Sequence, residues 1–317
     1  MSVVIFYNRK FAEFHSGSLI KLLLTFKQLD MKTILVLTDF SNSAKNAAET
    51  AIVIAKKLNA DILLLNAHSA IPENSLVFSN EMIADDGFFP LSDGYDLQIE
   101  ENRVNELLAM GQGGGKMPDL YSISTEGLLS AGVSNVLKRH NIAMIVMGGH
   151  SNAIENRIFS SDIYAVLNKA NCPVLIVPEE KIGLNAKDIV FVTDLPLADV
   201  KAIKYLVKLS EVFNFNIHLC QIANEVIITD LIESEDLSGF TKTVSKLKLK
   251  NLSFKNLLNN NFVKELEVPG EPVSADVLAM VHKKPYLFWR LFNDLHSKII
   301  VKNPRIPILI FPEQWGT

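Results

Sequence analysis

Residues 33–41, TILVLTDFS, decide the fold of this chain, because residues 188–196, DIVFVTDLP, repeat them. A second pair of similar segments follows: CPVLIVPE at residues 172–179 and IPILIFPE at residues 306–313. Each copy opens with an apolar strand that ends in Thr-Asp and closes with an apolar strand flanked by proline. The two Thr-Asp pairs lie 155 positions apart, far beyond the roughly 20–50 residues of a solenoid repeat. The pattern therefore predicts a duplicated domain.

Strands and helices alternate along both copies. The runs at residues 32–37 and 143–147 are continuously apolar, as expected for parallel strands that helices cover on both faces. Alternation of strand and helix indicates a parallel sheet with right-handed crossovers. The predicted fold class is α/β, with two tandem open-sheet domains that each hold a mostly parallel, Rossmann-like five-stranded sheet. The predicted parts are an extension at residues 1–30, a first domain at 31–180 and a degenerate second domain at 187–317.

Turn and capping residues place the individual elements. Ser41 is predicted to cap a helix whose alanines recur at helical spacing, and Asn59 to end it. The remaining strands are predicted at residues 62–67, 121–125, 174–177, 188–192, 215–221, 252–258, 276–281 and 308–311. The remaining helices are predicted at residues 97–110, 128–138, 162–169, 197–213, 237–248 and 261–267. Residues 69–96, rich in Pro, Gly and acidic residues, are predicted to form a long loop.

Residues 1–30 precede the first repeat and lack a small-residue cleavage site after their apolar stretch, so a signal peptide is not predicted. We expect Met31 to be the true start, with residues 1–30 as an upstream extension. The alternative is a short amphipathic helix packed on the surface.

The amino-acid composition limits which binding partners and which cellular compartment are expected. The formal net charge of −4 over 317 residues does not favour nucleic acid or an anionic membrane as a partner. Cys172 and Cys220 are the only cysteines, too few for a disulfide framework or a zinc site, so we expect a cytoplasmic protein without a metal. The two apolar closing strands, 174–177 and 308–311, are expected to pair within one chain as a pseudo-dimer of the halves. Association of two such chains into a homodimer is a further alternative.

Candidate binding residues follow two apolar strands of the first copy. In open parallel sheets, ligands bind beyond the carboxyl ends of the strands, where the strand order reverses. Thr38 and Asp39 follow the first strand, and Gly148, Gly149 and Ser151 follow the fourth. Asp39 is suited to accept hydrogen bonds from ribose hydroxyls or an adenine amine, and glycine lets a backbone approach a ligand closely. The other interpretation of Asp39 is a turn or capping residue.

The run TILVLTDFSNSAKNAAETAIVIAKKLNADILLLNAH, followed by IVMGGHS and CPVLIVPE, resembles the universal stress protein family. The resemblance covers about residues 31–317 and implies the tandem form. It also implies a five-stranded parallel α/β sheet related to nucleotide-binding domains. ATP-binding members of the family carry the pattern G-x2-G-x9-G-[S/T] after the fourth strand.

This chain departs from that pattern. Gly148 matches its first glycine, but Ser151 and Ser161 stand at the other two glycines and Asp162 at the hydroxyl residue. The position that the resemblance places against adenine is Ala67. The resemblance therefore implies that the adenosine side of a pocket is kept in part and the phosphate side is lost. In the second copy Asp194 remains, but residues 281–285 contain no glycine, so no nucleotide site is expected there.

A serine hydrolase is the alternative from a different class. Residues 149–153, GHSNA, follow a buried strand and resemble the nucleophile elbow G-x-S-x-G around Ser151. The acids and histidines available downstream are Asp194, Asp199, His218, His282 and His296. The second copy has no serine at the equivalent place, which weighs against this hypothesis.

The sequence thus predicts a tandem, non-enzymatic stress-response binding or regulatory protein with a degenerate nucleotide pocket. No cofactor is expected beyond weak binding of an adenine nucleotide. The main alternative is an adenine-nucleotide binder with its site in the first domain. The protein partner is not indicated by any motif.

Overall fold

The computed structural model describes most of the repeated core. The described residues are 5–6, 32–68, 93–110, 117–149, 161–179, 186–193, 199–223, 244, 252–258, 275–282, 306–312 and 315. Several predictions lie outside the described residues: the 69–92 part of the long loop, Ser151, Asp194, His296, and the helices at 237–248 and 261–267, of which only Val244 is described.

The described residues form eleven strands and five helices. The strands are β1 (Ile5–Phe6), β2 (Thr33–Leu37), β3 (Asp61–His68), β4 (Leu120–Glu126), β5 (Ile142–Gly148), β6 (Val174–Val177), β7 (Asp188–Thr193), β8 (Asn216–Ala223), β9 (Leu252–Leu258), β10 (Val277–His282) and β11 (Ile308–Pro312). The helices are α1 (Asn42–Leu58), α2 (Asp93–Met110), α3 (Leu129–Arg139), α4 (Ser161–Leu167) and α5 (Val200–Phe213).

All the strands belong to one sheet, in the order β1-β4-β3-β2-β5-β6-β11-β10-β7-β8-β9. Strands β2 to β6 are parallel to one another, and so are β7 to β11. The predicted α/β class and the mostly parallel strands are confirmed. Each half contributes five parallel strands, as predicted. Hydrogen bonding continues from one half to the other through β6 and β11, the two closing strands that were expected to pair.

The two halves meet where β6 pairs with β11. This pair is antiparallel, with Leu175 opposite Leu309 and Val174 opposite Ile310. We call it the seam. Because the strands of each half are parallel among themselves, the antiparallel seam places the carboxyl ends of the two halves at opposite edges of the sheet. Any site at the carboxyl ends of one half is therefore remote from its counterpart in the other.

Strand β1 is an addition that the sequence analysis did not predict. Ile5 pairs with Ile123 and Phe6 with Ser122, antiparallel to β4. The pairing places β1 beside the outer edge of β4, where unpaired backbone groups would otherwise face outward. Neither of the two predictions for residues 1–30 included a strand.

Helices cover both faces of the sheet. The alanines of α1 pack on Ile34, Val36 and Leu64, on the face that α2 and α5 also cover. The opposite face carries α3 and α4, which pack on Leu35, Leu63 and Ile145 among others. Burial of both faces explains the apolar runs without alternation that mark these strands in the sequence.

Capping residues set the ends of α1 as predicted. The hydroxyl of Ser41 accepts a hydrogen bond from the Ala44 amide at 3.2 Å, and Asn59 adopts the left-handed conformation at the C-cap. Other bounds differ from prediction by a few residues: α2 begins at Asp93, inside the predicted loop, and α4 ends at Leu167 rather than at 169. Among the described residues, no helix is long and apolar enough to cross a membrane.

Both cysteines are buried and unbonded to each other. Burial raises the pKa of the Cys172 thiol to about 12. The thiol therefore stays protonated, and Cys172 packs as a small apolar residue rather than acting as a nucleophile.

Candidate functional site

Strands β2, β3 and β5 end side by side at the carboxyl edge of the first half. Leu37 lies opposite Leu65 of β3 on one side and opposite Met147 of β5 on the other. The residues that follow, Thr38, Asn66 and Gly148, therefore form a row across the three strand ends. This row is where the candidate residues of the first half come together.

The turn after β2 is held by its own side chains. Oδ1 of Asp39 accepts hydrogen bonds from the amide of Ser41 at 3.1 Å and from its hydroxyl at 2.6 Å. The hydroxyl of Thr38 accepts one from the Phe40 amide at 3.1 Å. One carboxylate oxygen of Asp39 is thus committed to the turn, as the alternative interpretation of this residue expected.

The same turn contains a backbone conformation that costs free energy. Phe40 has a φ of +66°, in the left-handed region that bulky side chains rarely adopt. Its ring packs against the core beside α1, which offsets part of that cost. Such conformations cluster at ligand sites, where the surrounding structure fixes them.

Asn66 is the residue that the sequence analysis missed. Its amide nitrogen donates to the carbonyl of Thr38 at 2.9 Å, and its Oδ1 is buried without a hydrogen-bond partner. Only 5% of the residue is exposed. A buried acceptor without a partner is costly and rare in folded proteins. The signal in the sequence was a single polar residue inside the apolar run ILLLNA.

Gly148 contacts a helix of its own chain. A Cβ atom added to it would lie 2.6 Å from Oγ of Ser43 and 2.7 Å from the amide nitrogen of Ala44. The sequence analysis interpreted this glycine as a place where a ligand approaches the backbone. The structure shows that the first turn of α1 already makes that approach. Gly149, the next residue, is buried, and its amide donates to the Val177 carbonyl at 2.7 Å.

The remaining predicted residues lie around this edge of the sheet. Ala67 is half-buried near the end of β3, opposite Thr125 of β4. Ser161 is the first residue of α4, and Asp162 is exposed in its first turn. Ser151 lies outside the described residues. The structure thus places Thr38, Asp39 and Gly148 together.

The corresponding turn of the second half is built differently. The hydroxyl of Thr193, at the end of β7, donates to Oδ2 of Asp199 at 2.7 Å. Asp199 is 1% exposed and precedes α5 without capping it by a side-chain hydrogen bond. In the first half the matching threonine, Thr38, bonds within its own turn instead.

His218, a candidate base of the hydrolase hypothesis, has partners in the second half. Its Nε2 lies 2.9 Å from Oδ1 of Asp188, and its Nδ1 lies 2.6 Å from Oγ of Ser253. Because a carboxylate only accepts, Nε2 of His218 donates to Asp188. These residues lie near the amino ends of β7, β8 and β9. His282 is buried at the end of β10.

The surroundings of Asp188 make the second half sensitive to acid. Partial burial would raise the pKa of Asp188, but hydrogen bonds from His218 and Asn216, together with the charges of His218 and Lys187, lower it below its usual value. A depressed folded-state pKa contributes stability that is present above the unfolded-state pKa of about 3.9 and is lost as pH falls through the folded value.

We therefore expect Asp188→Asn to reduce the loss of stability on acidification from pH 6 to pH 3. Asparagine is not protonated in this range, so residue 188 no longer contributes to the pH dependence of the free energy of unfolding. Urea unfolding of both proteins at several pH values measures the effect. Asp162→Asn, at an exposed helix position, is the control. An equal pH dependence of the Asp188→Asn variant and the parent would contradict the assignment.

Comparisons with known proteins agree with the fold. Residues 31–178 match the family model described as the universal stress protein family. No curated protein matches the chain. A universal stress protein from Archaeoglobus fulgidus DSM 4304 has a similar structure, with 12% identity, 88% of this chain and 95% of that chain covered, and a TM-score of 0.58.

Two further structures are similar at the level of the fold. A functionally unknown protein from Pseudomonas aeruginosa PAO1 has 11% identity and a TM-score of 0.55, with 90% of this chain and 94% of that chain covered. The cytoplasmic domain of a prokaryotic cation chloride cotransporter has 13% identity and a TM-score of 0.50, with 88% and 95% covered. At such identities the likeness concerns the fold alone.

Proposed function

Because residues 31–178 of the chain belong to the universal stress protein family, we propose that the protein is a non-enzymatic stress-response protein that binds or regulates a protein partner. Its first half holds a degenerate adenine-nucleotide pocket. Its second half is a second, more degenerate copy of the same domain. The strand order supports this duplication. Read from the outer edge of the sheet toward the seam, it is β4-β3-β2-β5-β6 in the first half and β9-β8-β7-β10-β11 in the second.

The proposal of a degenerate pocket rests on the position of Asp162. Its side chain lies exposed in the first turn of α4, at the position where the family pattern has a hydroxyl. Two like charges 4 Å apart repel by about 1 kcal/mol in water and about 4 kcal/mol at an effective dielectric constant of 20. A triphosphate carries several such charges, so this carboxylate opposes phosphates much more than adenosine.

Asn66 favours the second candidate, an adenine-nucleotide binder. Its buried Oδ1 is an acceptor at the strand ends beside Thr38. The exocyclic amine of adenine is a donor of the matching kind, and Asp39 is suited to accept from ribose hydroxyls. Under this candidate the first half binds ATP or AMP through these contacts to the adenosine moiety.

We expect little or no binding of magnesium-ATP to the first half and none to the second. Isothermal titration calorimetry of the full chain with magnesium-ATP and with adenosine tests both candidates. Adenosine binding that exceeds magnesium-ATP binding would support the degenerate pocket, whereas magnesium-ATP binding at least as tight as adenosine binding would favour the second candidate. A dissociation constant for magnesium-ATP below about 10 μM, near −7 kcal/mol, would refute the degenerate phosphate side.

A variant that restores the family pattern sharpens this test. The triple substitution Ser151→Gly, Ser161→Gly and Asp162→Ser removes the carboxylate and two side chains from the phosphate side. Its affinity for ATP should rise, whereas its affinity for adenosine should stay the same. Asp119→Ser, which changes a carboxylate elsewhere, serves as the matched control.

The non-enzymatic proposal also predicts that no serine acts as a nucleophile. His218, a candidate base for Ser151, is bonded to Asp188 and Ser253 instead. An active-serine phosphonate probe should therefore label neither Ser151 nor Ser253. Peptide mapping after exposure to the probe measures this. Labelling of either serine, with ester hydrolysis abolished by its replacement with alanine, would overturn the proposal.

We further propose that the protein works in the cytoplasm without nucleic acid or membrane as a partner. The net charge of −4 supports this, since it gives no general attraction to polyanions. Size-exclusion chromatography with light scattering tests whether two chains associate further into a homodimer.

A further inference from the structure

A cavity of about 240 Å³ lies between α1 of the first half and α5 of the second. Its floor is formed by strand residues on both sides of the seam, among them Leu175 and Leu309. All the residues that line it are described by the structure. It lies near the C-terminal ends of the two helices and is separate from the row of strand ends around Thr38.

The walls of this cavity are mostly aliphatic and aromatic. An apolar cavity of about 150 Å³ holds benzene, which has six carbons, so this volume admits roughly eight to ten non-hydrogen atoms. One polar wall residue, Thr50, already donates its hydroxyl to the carbonyl of Asn46 at 2.8 Å. An apolar chain of about eight carbons matches this space, whereas a nucleotide is both too large and too polar for it.

The charged side chains that line the cavity are both positive. Lys57 and Lys187 are the charged residues that line it, and both are exposed to solvent. The ammonium of Lys57 lies 4.9 Å from the centre of the Phe213 ring, which is part of the wall. The neighbouring carboxylate of Asp276 accepts hydrogen bonds from the amides of Lys187 and Asp188, at 2.6 and 3.0 Å.

We propose that this cavity binds a medium-chain carboxylic acid of about eight carbons. The acyl chain lies between α1 and α5, and the carboxylate faces Lys57 and Lys187. The ligand contacts both halves of the chain, beside the seam. This site is independent of the adenine pocket, and the two can be tested separately.

Head-group analogues test the charge requirement on the unmodified protein. Isothermal titration calorimetry of the full chain should show one octanoate bound per chain. Octanol, with the same tail and no charge, should bind at least tenfold more weakly, and octylammonium more weakly still. Hexanoate should bind about 16-fold more weakly than octanoate, since each methylene contributes about fourfold. Equal binding of octanol and octanoate, or no binding of octanoate, would overturn the proposal.

Matched lysine variants locate the site. Lys57→Gln and Lys187→Gln should each weaken octanoate binding by about tenfold without changing the binding of octanol. Lys208→Gln removes an exposed lysine of α5 that does not line the cavity and should change neither. Octanoate affinity that is unchanged in both Lys57→Gln and Lys187→Gln would overturn the proposed position. Adenosine titration of the same variants should match the parent protein, which separates this site from the adenine pocket.

Discussion

Replacing Phe311 with alanine is expected to lower the free energy of unfolding by about 3–5 kcal/mol. Phe311 lies in β11, one of the two strands of the seam, and none of its surface is exposed. Its ring makes edge contacts with Phe191 and Tyr205, at centroid distances of 6.3 and 5.7 Å, and a tilted contact with Trp315 at 5.2 Å. Alanine would leave a cavity where several rings lose their partner.

Tyr205 contributes a neutral ring to this cluster. Burial, and to a smaller extent the nearby Cys172, raises the pKa of the Tyr205 phenol to about 12, so the ring stays neutral at ordinary pH. Urea unfolding monitored by circular dichroism measures the loss. Leu128→Ala, at a side chain that is 76% exposed, should change stability by less than about 0.5 kcal/mol. A loss below 1 kcal/mol for Phe311→Ala would contradict the packing described here.

Gly148→Ala is expected to destabilise the first half by about 1–3 kcal/mol, the usual cost of forcing an extra carbon into a packed interior. The new methyl group would lie 2.7 Å from the backbone nitrogen of Ala44. This backbone atom can move away only if α1 moves with it. The helix would then pull the capped turn at Ser41 away from β5. The expected result is lower stability together with weaker adenosine binding.

Gly149→Ala is the matched control, because it adds the same group one residue along. Its methyl would meet Cγ2 of Ile176 at 3.0 Å, and a side chain can rotate away at smaller cost. Thermal unfolding of both variants gives the comparison. A larger loss in Gly149→Ala than in Gly148→Ala would show that α1 does not constrain this strand end.

The fold was predictable because the strands are buried on both faces. Residues such as Ile34 and Val36 form apolar runs that only a covered parallel sheet explains. Ser41 was predictable as a cap because a hydroxyl before a helical alanine pattern satisfies free amides. Strand β1 was not, since two residues carry no periodicity and pair only because β4 has an open edge.

The candidate site was predictable in position but not in chemistry. Strand ends identify Thr38 and Asp39 from the sequence alone, because ligands of open sheets bind there. The role of Gly148 depends on the distance between β5 and α1, which no pattern of residue types encodes. The side-chain nitrogen of Asn66 bonds to the carbonyl of Thr38 on the neighbouring strand, which leaves Oδ1 without a partner. This arrangement depends on the three-dimensional structure, and the sequence shows only a polar residue within an apolar strand.

The antiparallel seam has a consequence for how the chain is made. A ribosome releases β6 about 130 residues before β11, and synthesis proceeds at roughly 5–20 residues per second. For about 6–30 seconds the newly folded first half exposes the bare edge of Val174–Val177, whose backbone groups lack their final partner. Nascent chains on one polysome carry the same edge close together, where it can pair between neighbours. Fast emergence of the second half therefore protects the first from association before the chain is complete.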